Sequence, residues 1–212
     1  MNMTVKSLLP EKFYFLIIVF LTIFNSFGEN LKTGDLIFVR DTGGDFSSAI
    51  SNATASEDSI KIVHVGIIVE ENDTVYVYEA SPKSGVRKIT LNEFKKEESL
   101  IIPLIIKRLK TDFSIPFLLE NLKRHLGEPY DWWYLPDNGK MYCSELIQTS
   151  FRDENLQPIF LNKPMNFRSK DGRIPEFWVN LFRELDMDVP EGVPGSNPND
   201  IFKDKRLIML NQ

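Results

Sequence analysis

The chain has 212 residues, 42% of them hydrophobic and 26% charged, with a formal net charge of −5. That length suits one domain with a substantial core. An acidic balance without clustered Lys and Arg excludes the electrostatic footprint of a nucleic-acid binder.

The first residues read differently from the rest. Lys6 and Lys12 precede an apolar run from Phe13 to Phe24, followed by the small or polar Asn25, Ser26 and Gly28. A positive start, a short apolar stretch and small residues make the pattern of a secretory signal. The expectation is a signal over residues 1–28 and a folded domain over 29–212, in an exported protein, periplasmic or extracellular. The run is short for a transmembrane helix, so no stable membrane insertion is expected after signal removal, with an uncleaved anchor as the alternative.

From Leu31 onward, strand and helix signals alternate with turns. Gly34-Asp35 is a turn and Leu36 to Val39 a short buried strand. Asp45 to Ala53 suits one or two helical turns. Val63 to Val69 and Val75 to Ala80 are strands joined by the turn cluster Glu70-Glu71-Asn72-Asp73. A further strand (Val86–Thr90), a short charged helix (Leu91–Glu98) and an isoleucine-rich strand (Leu100–Leu109) follow. An amphipathic helix over Ser114–Leu126 ends at Gly127. Next come the aromatic loop from Pro129 to Pro136, a helix from Cys143 to Arg152, a loop-rich stretch from Pro158 to Pro175 and a helix from Glu176 to Leu185. Pro190 to Pro198 reads as an irregular surface crossing and Arg206 to Leu210 as a last strand. Strands first and helices later argue for an α+β fold with an antiparallel sheet.

Cys143 is the only cysteine. Leu146, Ile147, Ser150 and Phe151 recur at helical spacing, which puts Cys143 at a helix N-terminus. Unpaired N–H groups and the helix dipole there stabilise a thiolate and, later, an oxyanion. A buried, inert thiol is the competing reading. No internal disulfide is available to an exported chain with one cysteine.

There are two histidines. His125 sits late in its helix, a natural place for a solvated residue that satisfies the dipole. His64 opens a strand, and Gly66 beside it leaves space on the same face. A two-residue turn at Glu71-Asn72 sets His64 opposite Glu79, and one at Asn72-Asp73 sets it diagonal to Glu79. Only a three-residue loop separates the two. Glu79 thus stands where a carboxylate orients a catalytic imidazole, although an ordinary ion pair needs the same geometry. One Cys and two distant His do not form a zinc site, so neither metal nor cofactor is expected.

Gly34-Asp35-Leu36-Ile37, His64-Val65-Gly66-Ile67, Tyr78-Glu79-Ala80, Pro129-Tyr130-Asp131 and Tyr142-Cys143-Ser144-Glu145-Leu146 occur in this order. Together they resemble the permuted papain-like amidases, the YiiX/YaeF-like branch of the NlpC-type cysteine peptidase superfamily, over about Leu31 to Leu210. The resemblance implies a circularly permuted papain-like fold: an antiparallel sheet or barrel packed against helices, with the nucleophile at a helix N-terminus. It implies Cys143 as nucleophile, His64 as base and Glu79 as orienting residue. Tyr142, Ser144, Asp131 and Trp132 are candidates for substrate binding, and the Trp132-Trp133 pair is bulky enough to narrow or cover a cleft. The implied activity is hydrolysis of amide bonds in a peptide or amide substrate, by analogy one derived from the cell wall. A thioesterase or acyltransferase with the same triad, and a non-catalytic binding module, remain the alternatives.

Overall fold

The structure is a computed structural model that describes residues 31–41, 43–54, 60–97 and 104–210. The expected signal, residues 1–28, lies outside the described residues, as does the start of the strand expected from Leu100. The elements below belong to one unit, Lys32–Asn211. In chain order they are β1 (Leu36–Arg40), α1 (Asp45–Thr54), β2 (Ile62–Glu71), β3 (Thr74–Ser81), β4 (Gly85–Thr90), α2 (Leu91–Glu97) and β5 (Ile105–Leu109). Then come α3 (Ile115–His125), α4 (Cys143–Ser150), β6 (Lys163–Pro164), α5 (Glu176–Glu184), β7 (Pro194–Gly195), α6 (Pro198–Phe202) and β8 (Leu207–Met209).

Six strands form one sheet in the order β4-β3-β2-β1-β5-β8, every pair antiparallel. With β4 and β8 as its edges, this is the α+β arrangement expected, with a sheet that the named strands do not close into a barrel. β1 lies inside it, and Leu36, Ile37 and Phe38 are all fully buried. That explains why its sequence runs apolar without alternation. Leu36, Ile67 and Tyr78 stand in register across three strands. Together with Phe38 and Val65 they share a core with Leu118 and Leu122 of α3 and Leu146 and Ile147 of α4.

The β2–β3 turn is Asn72-Asp73, with φ of 49° and 60°. Both central residues of this two-residue hairpin are left-handed, a conformation Asn and Asp tolerate well. Glu71 pairs with Thr74, and the register runs through Ile67 and Tyr78. At the far end of β2 the register with β1 slips by one, from Val39–His64 to Arg40–Ile62. This bulge lies directly beside His64. Ile62 and Val65, three residues apart, consequently share one core, a spacing that a regular strand would send to opposite faces.

Edge strand β4 is covered by the segment after α3. Val86 donates to the Glu128 carbonyl and accepts from Gly127, at 2.8 and 2.9 Å. Gly85 permits that approach, since a Cβ there would stand 2.1 Å from the Glu128 oxygen.

The stretches Pro158–Pro175 and Pro190–Pro198 are mostly irregular, as expected, on either side of the expected helix α5, but they carry the two-residue ribbon β6–β7 and lead into α6. Asn197 caps α6 by accepting from the Asp200 N–H at 2.8 Å, and Pro198 follows at the first helical position. Proline at that position loses no helical hydrogen bond. Asn199, fully buried, accepts from the Ile62 N–H at 2.9 Å and donates to the Ile62 carbonyl and Thr54 hydroxyl, both at 2.7 Å. It ties α6 to β2 and α1.

Replacing Asn199 with Ala strands both polar groups of Ile62 away from water. The expected cost is about 2–4 kcal/mol, seen as a fall in Tm of roughly 5–15 °C. A melting temperature within 2 °C of wild type, roughly the shift of half a kcal/mol, would show that this tie contributes little.

Candidate active site

Cys143 is the first residue of α4 and is 4% exposed. Tyr142 before it is extended, with φ −100° and ψ 165°. The chain is delivered to that point by a short parallel ladder. Asp131 N–H donates to the Met141 carbonyl and Met141 N–H to that of Pro129, both at 3.1 Å. The N–H groups of the first turn have no acceptor within the helix, so they remain available beside the sulfur.

His64 reaches the same place from the bulged end of β2. Its Nε2 lies 2.5 Å from Oε2 of Glu79. Of the registers open from the sequence, the observed one sets Glu79 diagonal to His64. Gly66 does not open the space expected of it. A Cβ at Gly66 would stand 2.7 Å from the Val77 side chain, so that volume is filled. With Nε2 engaged by Glu79, Nδ1 is the ring nitrogen left for Cys143, which helps to hold the imidazole above its ordinary pKa.

The other carboxylate oxygen of Glu79 is held by Arg87. Nε and Nη2 of Arg87 donate to Oε1 at 2.8 and 2.6 Å, and Nη2 also reaches Glu97 at 2.6 Å. Glu79 and Arg87 are direct cross-strand partners in β3–β4. Arg87 was not singled out from the sequence. The signal was there: opposite charges at paired positions around the Pro82-Lys83-Ser84 turn.

Electrostatics follow from these contacts. Burial alone would push His64 down, but Cys143 and Glu79 outweigh it and leave the imidazole well above its ordinary 6.5. Burial alone would push Glu79 up, but His64 and Arg87 bring it below its ordinary 4.5. The result is an imidazolium against a carboxylate. Two residues from Cys143, burial pushes Glu145 up to about 8, with Asp131, Asp137 and Glu128 adding repulsion. Glu145 is therefore mostly neutral at neutral pH and adds no full negative charge beside the thiol.

The remaining candidates separate. Tyr142 and Ser144 line a cleft with Cys143. The fully buried Asp131 accepts from the Trp133 and Leu135 N–H groups at 2.9 Å, shaping the aromatic loop from within. Trp132 packs on Phe46 and Tyr130, with ring centroids 5.3 and 4.9 Å apart. Trp133 lies under Lys140. Neither tryptophan is among the cleft-lining residues, so the pair does not narrow the cleft as the sequence suggested. His125 pairs with Glu128 at 2.8 Å. Among the described residues, no three His, Cys, Asp or Glu side chains converge to hold a metal ion.

The cleft is narrow, with about 50 Å³ of space, and is partly open to solvent. Tyr130, Tyr134, Tyr142, Phe167, Trp178 and Met165 are the large apolar and aromatic part of its wall. Met165, Phe167 and Trp178 were missed in the sequence because they come from an irregular segment and a helix whose apolar positions read simply as core.

The charged pair predicts a stability profile. A raised His64 contributes fully below pH 6.5 and loses its contribution as pH rises through its folded value. A lowered Glu79 contributes fully above pH 4.5 and loses it as pH falls through its folded value. The stability difference between wild type and Glu79→Gln should thus be greatest between pH 4.5 and 6.5. NMR titration of His64 should show a midpoint above 6.5 that falls in the variant. An unchanged midpoint would mean that Glu79 does not hold the imidazolium.

Comparison with known proteins agrees with this architecture. Residues 30–211 match the family described as permuted papain-like amidase enzyme, YaeF/YiiX, C92 family. The uncharacterized protein YiiX of Escherichia coli (strain K12) is 25% identical over 188 residues, covering 87% of this chain and 88% of that protein. The crystal structure of the metalloprotein YiiX from Escherichia coli O157:H7 superposes with a TM-score of 0.66 at 21% identity, covering 85% of this chain and 97% of that one. The chain belongs to the permuted papain-like amidase family.

Proposed function

We propose that this member of the permuted papain-like amidases is a cysteine hydrolase that cleaves amide bonds through an acyl-enzyme, with Cys143 as nucleophile, His64 as base and Glu79 as orienting residue. The observation that carries the reading is the 2.5 Å contact between His64 Nε2 and Glu79 Oε2, beside a buried Cys143 that helps to raise the same imidazole's pKa. An ion pair of no catalytic purpose has no need of a thiol at a helix N-terminus on its far side.

The steps balance without a further reactant except water. With the Cys143 proton already held on His64 as imidazolium, the thiolate attacks the substrate carbonyl. The oxyanion that forms is stabilised by N–H groups of the first turn of α4. The C–N bond then breaks, the amine leaves with the proton from His64, and a thioester remains on Cys143. Water, deprotonated by His64, attacks that thioester and releases the acid and the thiol. Glu79 fixes which ring nitrogen carries the proton and stabilises the imidazolium.

For the finer substrate, the motif order and the N-terminal pattern of Lys6, Lys12 and the following apolar run favour an exported enzyme acting on cell-wall peptides. A second reading, hydrolysis or transfer of an acyl group from an ester or thioester, is favoured by the aromatic wall of the cleft.

Cys143→Ser should abolish turnover with an unchanged circular dichroism spectrum, since the site is built to deprotonate a thiol. Glu79→Gln should lose about tenfold to a thousandfold, because a thiolate–imidazolium pair supports itself better than a serine site does. Incubating the enzyme with cell-wall peptides and, separately, with acyl thioesters, then measuring its intact mass, tells which pool leaves an acyl group on Cys143. Full activity in a folded Cys143→Ser protein would remove the mechanism. N-terminal sequencing of the natively expressed protein should begin between Ser26 and Leu31; a soluble cytoplasmic product starting at Met1 would contradict export.

A further inference from the structure

In the proposed hydrolysis His64 is charged for only part of the cycle. It starts as an imidazolium beside Cys143 and gives its proton to the leaving amine. From then on it is neutral, until it takes a proton from the water that attacks the thioester. Glu79 stays fully buried throughout. A buried carboxylate that loses its cation takes up a proton itself unless another charge holds it.

Arg87 is placed to be that other charge. Its Nε and Nη2 both donate to Oε1 of Glu79, at 2.8 and 2.6 Å, and leave Oε2 to His64. A guanidinium is not deprotonated in a protein, so Arg87 remains a cation at every step. Its orientation is fixed from the far side as well. Nη2 donates to Glu97 at 2.6 Å, at the end of α2, and the same helix lays Phe94 on the His64 ring with centroids 6.3 Å apart. Around the pair, Glu79 comes from β3, Arg87 from β4 and Cys143 from α4, while β1 sets Val39 opposite His64. Of the α2 carboxylates, Glu97 meets Arg87 and the exposed Glu93 accepts from Thr90.

We propose that Arg87 is a positioning residue of this hydrolysis, the standing cation that keeps Glu79 ionised while His64 is uncharged. It acts through Glu79. With Arg87 present, the carboxylate survives the loss of the imidazolium, and His64 is free to release its proton. Without it, the proton stays on the His64–Glu79 pair. Deacylation suffers most, because there His64 must be neutral to accept a proton from water. This role rests on the hydrolase reading above; the division of charge between Arg87 and His64 does not.

The sign of the effect is fixed. Removing a positive charge raises the proton affinity of the groups near it, so His64, already well above 6.5, should rise further in Arg87→Met. That variant keeps an apolar stem and loses the charge. The probe is p-nitrophenyl acetate, whose nitrophenolate leaves without needing a proton. Its initial burst reads acylation of Cys143, and the steady rate reads deacylation. In Arg87→Met the His64 midpoint by NMR should rise by about one unit, which leaves about tenfold less neutral imidazole below that midpoint. Deacylation at neutral pH should fall by the same factor, with the burst little changed and acetyl-enzyme accumulating by intact mass. Raising the pH should restore the rate, which it would not do for a displaced imidazole. Arg87→Lys, which keeps the charge, should recover most of it. In a Glu79→Gln background, adding Arg87→Met should leave deacylation close to that of Glu79→Gln alone. This last comparison removes both halves of the buried pair and can be read even if Arg87→Met does not fold by itself.

A His64 midpoint unmoved or lowered in Arg87→Met, a loss that no pH restores, or an equal loss in the Glu79→Gln background overturns the proposal. A raised midpoint in a protein whose Cys143 is never acylated upholds Arg87 as the standing cation of Glu79 and overturns the hydrolase reading instead.

Discussion

A single buried carboxylate organises the site. Glu79 has no exposed surface, and a lone charge in that position would be neutralised by taking up a proton. It stays ionised because each oxygen has its own cationic partner, His64 on one and Arg87 on the other. Those partners come from the two hairpins that flank it. The β2–β3 turn sets where His64 lies, and the β3–β4 register sets where Arg87 lies. Slipping either hairpin by one residue turns a charge to the other face and leaves Glu79 half satisfied. Breaking a buried pair costs several kcal/mol, so the same three residues that hold the imidazole also penalise misregistered sheets.

Charge control around the thiol works by subtraction as well as attraction. The neighbourhood of Cys143 contains several acidic groups, and full ionisation of all of them would oppose a thiolate. Burial keeps Glu145 largely protonated at neutral pH. Asp131 is occupied with two backbone N–H groups of its own loop. On the cleft side there is aromatic surface and no charge. Cys143 consequently sits near one cation, His64, and at the positive end of a helix.

Much of this was legible in the sequence. Apolar runs bounded by Gly, Asp and Asn located the strands, and helical spacing after Cys143 located α4. Of the three registers open for β2–β3, two set Glu79 near His64, and the deciding fact was chemical: Asn and Asp accept the left-handed backbone of a tight hairpin better than Glu does. Other features leave weaker traces. The bulge beside His64 has no residue signature, because any side chain fits it and only the register of β1 against β2 reveals it. Gly66 was misread as making room, when it makes way for Val77. The cleft wall came from Met165, Phe167 and Trp178, whose apolar character fits core and pocket alike, so only folding could tell them apart. α6 was legible in principle, since Asn197 followed by Pro198 is a helix-start signal, but the surrounding prolines and glycines masked it.

The tie between Ile62 and Asn199 spans 137 positions in sequence. A ribosome makes chain from the N-terminus at some 5–20 residues per second, so β2 emerges well before the residue that anchors its first N–H and carbonyl. Contacts that close such long loops form late and slow the overall fold. The strand that carries His64 therefore lacks this tie at its origin until almost the whole chain is present. A polypeptide interrupted between α4 and α6 holds His64, Glu79 and Cys143 without the clamp on Ile62.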